Sequence, residues 1–196
     1  MTEIVREGYR QLGAKFDEWR DRIVGDPRAE WRELLASKLD PGARILELGC
    51  GNGDDGRALA RHGFRVTGVD LVARAEGVEV IEADFLELRL PDASYEACAS
   101  FYVFNHVPRE RMRGLLACIH RWLVPGGLLL AAFGVSDTES WTGGWLGATM
   151  FFSSFPAGVN SRLVDEASFE RKRDEIVEFD EPEGPVRFQW VLARSI

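Results

Sequence analysis

Three glycines, Gly49, Gly51 and Gly53, alternate directly after the strand-like run Arg44-Ile45-Leu46-Glu47-Leu48, and a helical stretch from Asp54 to His62 follows them. In a strand–turn–helix of this kind a ligand can reach the backbone, because no Cβ stands in its way. The free N–H groups at the helix start also point at whatever binds there. Asp70 follows Gly53 by 17 residues and closes a second apolar run, Arg65-Val66-Thr67-Gly68-Val69. A carboxylate at the tip of the neighbouring strand is placed to accept both hydroxyls of a ribose. Together these residues predict a nucleoside cofactor.

Two cofactor classes share the glycines. Gly51-Asn52-Gly53-Asp54-Asp55-Gly56 satisfies the dinucleotide spacing G-x-G-x-x-G, with Asp70 at roughly the expected 20 residues beyond. Gly49-Cys50-Gly51-Asn52-Gly53, with Glu47 two residues ahead, instead resembles motif I of the class I S-adenosylmethionine (SAM) methyltransferases. Local charge favours the second: Glu47, Asp54 and Asp55 would repel a pyrophosphate, whereas the sulfonium and ammonium of SAM are tolerated or attracted.

The rest of the chain extends the resemblance from Tyr9 to Arg194. Val78 to Glu82 reads as a third strand followed by Ala83-Asp84-Phe85, where the family places an Asp on the adenine amine and packs the next residue on the ring. Tyr95 to Phe101 reads as a fourth strand, and Asn105-His106-Val107-Pro108 is similar to the segment that follows it in the family. Met112, Leu115, Leu116 and Ile119 recur at helical spacing within 109–122. Val124-Pro125-Gly126-Gly127 stops that helix, and Leu128 to Phe133 is an all-apolar, buried strand. Tyr9 and Phe16, seven residues apart, resemble a Tyr-x6-Tyr signature whose aromatics close over the methionine portion of SAM. The alternative for Tyr9 is an amphipathic helix sealing the sheet, and packing is the preferred role for Phe16 and Trp19.

The resemblance implies an α/β fold: a Rossmann-like, seven-stranded, mostly parallel sheet in the order 3-2-1-4-5-7-6 with an antiparallel last strand. It implies cofactor contacts from Tyr9, Glu47, Gly49, Cys50, Gly51, Gly53, Asp70, Leu71, Asp84, Phe85 and Phe101, with Glu47 ordering the loop or meeting the cofactor ammonium through water. One departure stands out. Only seven residues, Leu71 to Gly77, separate Asp70 from Val78. A parallel crossover normally takes about a dozen, while seven extended residues span at most about 23–25 Å. The spacing therefore predicts that the helix between strands two and three is missing or a single turn, leaving a sheet face bare or covered by a second copy of the chain, a homodimer.

Specificity is expected in 135–160, a lid insert rich in aromatics and glycines after the fifth strand, where Trp141, Trp145, Met150 and Phe151 would meet an apolar or aromatic substrate. Packing onto the sheet and a partner surface are the alternatives. Residues 1–40 form an N-terminal helical cap of the single domain. Methyl transfer depends on proximity and in-line geometry more than on acid–base groups. His106, at the end of strand four, is the candidate base, with loop support as its other role, and Tyr102 is the candidate orienting residue. His62 and His120 read as structural or solvated. No Asp-Pro-Pro-Tyr or Asn-Pro-Pro-Tyr follows strand four, which argues against exocyclic-amine nucleic-acid and glutamine methyltransferases.

Composition agrees. The 196 residues suit one domain, 45% of them are hydrophobic, and the net charge of −8 lacks the basic footprint a nucleic acid demands. Glu3, Arg6, Glu7 and Arg10 break any N-terminal apolar run, no window reaches membrane-span length, and Cys50, Cys98 and Cys118 lack metal-ligand partners. The expectation is a cytoplasmic, metal-free enzyme that converts SAM to S-adenosylhomocysteine. It would methylate a small molecule at oxygen or nitrogen, and less readily at sulfur or a metalloid. The alternatives are other chemistry on the same fold, such as a pericyclase or decarboxylase, a non-catalytic partner subunit, and a dinucleotide oxidoreductase.

Overall fold

The structure, a computed structural model, describes residues 1–196. Its main sheet contains β1 (Arg44–Leu48), β2 (Arg65–Asp70), β3 (Glu79–Glu82), β4 (Tyr95–Ser100), β5 (Leu123–Gly134), β8 (Phe169–Glu181) and β9 (Gly184–Ser195). The order is β3-β2-β1-β4-β5-β9-β8, with β9 antiparallel to both its neighbours and the other pairings parallel. With the hairpin strands β6 and β7 left out of the count, this is the implied order.

Central strands are apolar on both faces because helices cover both. On one face α5 (Arg109–Trp122) buries Met112, Leu115, Leu116, Ile119 and Trp122, the single stripe that a 3.6-residue period produces. On the other, α3 (Arg28–Ala36) buries Trp31 and Leu35, and Trp31 stacks on Trp190 of β9 with centroids 5.6 Å apart. Two further helices, α1 (Thr2–Leu12) and α2 (Ala14–Arg20), precede α3, and α4 (Asp54–Ala60) follows β1.

No helix joins β2 to β3. The connection is tied to α4 instead: Arg57 donates to the carbonyls of Glu76 at 2.9 Å and Asn52 at 2.8 Å. The expected bare face shrinks accordingly. The edge strand β3 is four residues long, with exposed Glu79 and Glu82 at its ends and Val80 and Ile81 half-buried. Short, charged edges of this kind resist pairing with another sheet.

The 135–160 insert is a β-hairpin, β6 (Trp141–Trp145) and β7 (Ala148–Phe152), turned at Leu146-Gly147, both with positive φ as a type I′ turn requires. Its β7 strand packs on α1, forming a small separate core of Val5, Leu12, Ala148, Met150 and Phe151. α6 (Ala157–Glu166) follows, with Pro156 at its N-cap. No helix is long and apolar enough to cross a membrane.

Candidate cofactor site

The turn from β1 to α4 holds Gly49, Gly51 and Gly53 at φ of 77°, 52° and 80°, a region that side chains other than glycine's rarely enter. At Gly51 a Cβ would meet nothing, so this backbone faces open space, whereas at Gly49 it would lie 2.6 Å from Val103. Asp70, at the C-terminal end of β2, braces the turn. Its Oδ2 accepts the Gly51 N–H at 2.8 Å and its Oδ1 accepts the Val72 N–H at 2.8 Å. Each oxygen keeps a lone pair, and burial raises the carboxyl above its ordinary value despite these bonds.

Two connected lobes open here. The larger, about 150 Å³, is lined by Tyr9, Gly49, Cys50, Gly51, Asp70, Phe101, Tyr102, His106 and Trp145 among others. The smaller, about 40 Å³, is lined by Thr2, Tyr9, Asp70, Leu71, Asp84 and Phe85. Tyr9 and His106 line both, with Tyr9 Oη 2.9 Å from His106 Nε2. A larger, shallow depression of about 980 Å³ lies at the opposite edge, along 38–44 and 124–128. That edge carries the N-terminal ends of the parallel strands, away from where α/β sheets bind ligands.

The donors and acceptors fit an adenosyl cofactor: an open backbone turn, a carboxylate with two free lone pairs, and a second carboxylate, Asp84, beside the Phe85 ring. The volume does not fit without movement, since ligand pockets run to about 300 Å³ or more. What fills the space is α1, whose Thr2 hydroxyl donates to Asp84 Oδ2 at 2.9 Å, the oxygen a nucleobase amine would take. Asp84 Oδ1 is occupied by the Leu86 N–H at 2.9 Å.

His106 donates from Nδ1 to the Phe151 carbonyl at 2.8 Å, so Nε2 is the acceptor for the Tyr9 hydroxyl. Burial pushes His106 down to about 4. Burial first, then the fields of Asp70 and Glu181, raises the Tyr9 phenol. Tyr102, at φ 64°, donates its hydroxyl to Asp26 Oδ1 at 2.6 Å, and Arg28 lies over its ring at 4.8 Å. Both residues expected to do chemistry are thus committed to hydrogen bonds within the protein.

Several expected site residues lie elsewhere. Glu47 lines neither lobe. It is 1% exposed, its Oε2 has no hydrogen-bond partner, and it lies so close to α4 that a Cβ on Gly56 would come within 2.7 Å. Burial, and then the charge of Asp55, raises its carboxyl well above the ordinary range. Gly53 packs against Ala75 rather than lining the cavity. Met150 and Phe151 sit in the small core that β7 forms with α1, and Trp141 is 43% exposed. Asp54 is paired with Arg20 and Arg57, and Asp55 with Arg28 and Arg32, so neither is the free charge expected to repel a pyrophosphate.

Other residues take those places. Phe16 and Trp19, expected to be packing residues, line the larger lobe, as do Phe152, Arg28 and Glu181. A hairpin reading of Trp145-Leu146-Gly147-Ala148 would have located Phe152. Nothing in the sequence marks Glu181, whose position depends on how β8 returns over the site.

Residues 45–127 match a family described as a methyltransferase domain. The chain is 38% identical over 154 residues to a ubiquinone biosynthesis O-methyltransferase of Xylella fastidiosa, covering 65% of this chain and 61% of that one. It therefore spans less than two thirds of that relative's length. Among solved structures it is similar to 1,6-didemethyltoxoflavin-N1-methyltransferase of Burkholderia thailandensis, crystallised with 1,6-didemethyltoxoflavin and S-adenosylhomocysteine. The TM-score is 0.78 at 21% identity, over 97% of this chain and 86% of that one. The [4+2]-cyclase SpnF shares the fold at a TM-score of 0.65 and 19% identity, over 85% and 80% of the two chains, so the fold alone does not fix the chemistry. In its sheet order, its glycine turn and its match to a methyltransferase domain over residues 45–127, the chain is similar to the class I SAM-dependent methyltransferases.

Proposed function

We propose that the protein transfers the methyl group of SAM to a small-molecule acceptor, at oxygen or nitrogen. The observation that supports this most strongly is the Asp70 brace: one carboxylate bonded to the Gly51 N–H of the turn and lining both lobes of the cavity. When bound, SAM supplies an electrophilic methyl group. The protein's own residues supply the rest. Asp70 accepts the ribose hydroxyls, Asp84 Oδ2 accepts the adenine amine once Thr2 gives way, and Phe85 packs on the ring. Leu71 borders the same lobe, and the backbone from Gly49 through Cys50 to Gly51 holds the methionine portion.

Tyr9, Phe16 and Trp19 form an aromatic layer that excludes water from the transfer site. His106 is a positioning residue for Tyr9 rather than a base, since Nδ1 is spent on Phe151 and burial keeps the ring neutral. Tyr102 orients Asp26 and Arg28. Trp145, with Phe152, faces the acceptor. A small molecule suits the enclosed aromatic wall, and the net charge of −8 gives no footprint for nucleic acid. The test is to incubate the protein with SAM and a panel of aromatic alcohols and amines. Formation of S-adenosylhomocysteine with an acceptor gaining the mass of one methylene is expected. Binding of SAM with no methylated product from any class would move the protein to non-transfer chemistry.

A further inference from the structure

Three carboxyls line the larger lobe: Asp55, Asp70 and Glu181. Asp55 is paired with Arg28 and Arg32, and Asp70 accepts two backbone N–H groups. The Glu181 carboxylate has neither a hydrogen bond nor an ion pair. The arginines on the same wall are all engaged, Arg20 with Asp54, Arg28 with Asp55 and Asp26, and Arg74 with Asp17. The uncompensated charge facing the cavity is therefore negative, and a half-buried carboxylate without a partner calls for a cation.

An aromatic wall adjoins this charge. Phe16 lies 6.0 Å from Trp145 between ring centroids, Trp145 5.5 Å from Phe152, and Trp19 packs on both Phe16 at 5.8 Å and Trp145 at 5.2 Å. Trp19 Nε1 donates to Glu183 Oε2 at 2.8 Å, which fastens the turn after β8, with Glu181 at its start, to the wall. Ring faces attract cations, and a carboxylate beside them adds to that attraction. A neutral hydroxyl gains less, since it can donate one hydrogen bond to the carboxylate but brings no charge to it or to the rings.

We propose that Glu181 binds the methyl acceptor, and that the acceptor is an aliphatic or aryl-alkyl amine held as its ammonium between the Glu181 carboxylate and the Trp19–Trp145 wall. This rests on the methyl-transfer reading above. Before transfer, an N–H bond of the ammonium breaks, the proton bonds to a Glu181 oxygen, and the electron pair stays on nitrogen as the nucleophile. Burial, followed by the charges of Glu183 and Asp26, raises Glu181 to about 7, which suits proton exchange at neutral pH.

The probes are phenethylamine and phenethyl alcohol, which share a ring and differ in the ammonium. Each is titrated by calorimetry into the protein saturated with S-adenosylhomocysteine. The amine is expected to bind at least about tenfold tighter than the alcohol, and Glu181→Gln to abolish that preference while leaving S-adenosylhomocysteine affinity unchanged. Amine affinity should also rise about tenfold from pH 6 to pH 8 as Glu181 ionises. Glu183, Asp26, Arg20 and Arg28 face it alongside Tyr9, Tyr102 and His106. Burial holds both phenols above that range and the imidazole below it.

Equal affinity for the two probes, no binding of either, or an unaltered preference in Glu181→Gln overturns the proposal. If Glu181→Gln does not fold, the wild-type pH profile reads the same carboxylate, and a flat profile overturns it. Failure of the wild type to bind S-adenosylhomocysteine strikes the methyl-transfer reading instead, and the two probes are then compared in the unloaded protein.

Discussion

Replacing Glu47 with Gln tests whether the acid of the glycine motif is a buried neutral group or an anion available to a ligand. Glu47 is 1% exposed with an unpartnered Oε2, and burial together with Asp55 outweighs the opposing pull of Arg28 and Arg32, so its carboxyl is raised well above 4.5. For an acid with a raised folded value, the stability contribution is complete below the unfolded value and is lost as pH rises toward the folded one. The loss is about 1.4 kcal/mol for each pH unit between the two. Gln removes this titration while keeping the shape. Any cost of burying the amide is independent of pH, so the slope is separable from the offset. Urea unfolding of both proteins at pH 5, 6, 7 and 8, analysed with matched m-values, should show Glu47→Gln gaining steadily on the wild type as pH rises above 5, at up to about 1.4 kcal/mol per pH unit. A difference that stays constant with pH would overturn the neutral assignment. It would mean that Glu47 is ionised in the fold and that Arg28 and Arg32 sustain its charge.

Other perturbations probe the remaining parts. Asp70→Ala should weaken S-adenosylhomocysteine binding by about tenfold or more, because charge-assisted hydrogen bonds contribute about 1.5–3 kcal/mol each; calorimetry reads this, and unchanged affinity would dismiss Asp70 as the ribose ligand. Thr2→Val removes the hydroxyl that competes for Asp84 Oδ2 and should tighten S-adenosylhomocysteine binding by about two- to tenfold; weaker binding would show that Thr2 belongs to the bound state. Tyr9→Phe strands the buried His106 Nε2 and should lower unfolding free energy by about 1–3 kcal/mol, measured by urea titration. Trp31→Ala, which opens the stack on Trp190 under α3, should cost about 3–5 kcal/mol in the same assay.

Much of the fold was legible because it rests on local signals. The apolar run of β1, the Pro-Gly-Gly after α5 and the seven-residue gap before β3 each carry a length or periodicity that one architecture satisfies. The short connection could be predicted because chain reach is a covalent fact, whereas its tether, Arg57 on the Glu76 carbonyl, is a tertiary contact. The cofactor side of the site was legible for the same reason: Gly51 and Asp70 sit at strand ends, where sequence position nearly fixes spatial position. The acceptor side was not. Met150, Phe151 and Phe152 are adjacent in sequence, yet only Phe152 reaches the cavity, since tertiary packing with α1 buries the other two in a separate small core. The acidic residues Asp54 and Asp55 looked like free charges because, apart from Arg57 one turn along α4, their arginine partners Arg20, Arg28 and Arg32 come from a segment whose docking no local pattern reveals.

Everything proposed above depends on the turn at Gly49–Gly53, braced by Asp70, holding an adenosyl sulfonium cofactor. Calorimetric titration of the full chain with SAM and S-adenosylhomocysteine, with NAD⁺ and NADP⁺ alongside, tests it directly. Micromolar-range binding of the first pair with no heat from the second is the predicted result. Binding of a dinucleotide in preference to S-adenosylhomocysteine, or of none of the four, would contradict it.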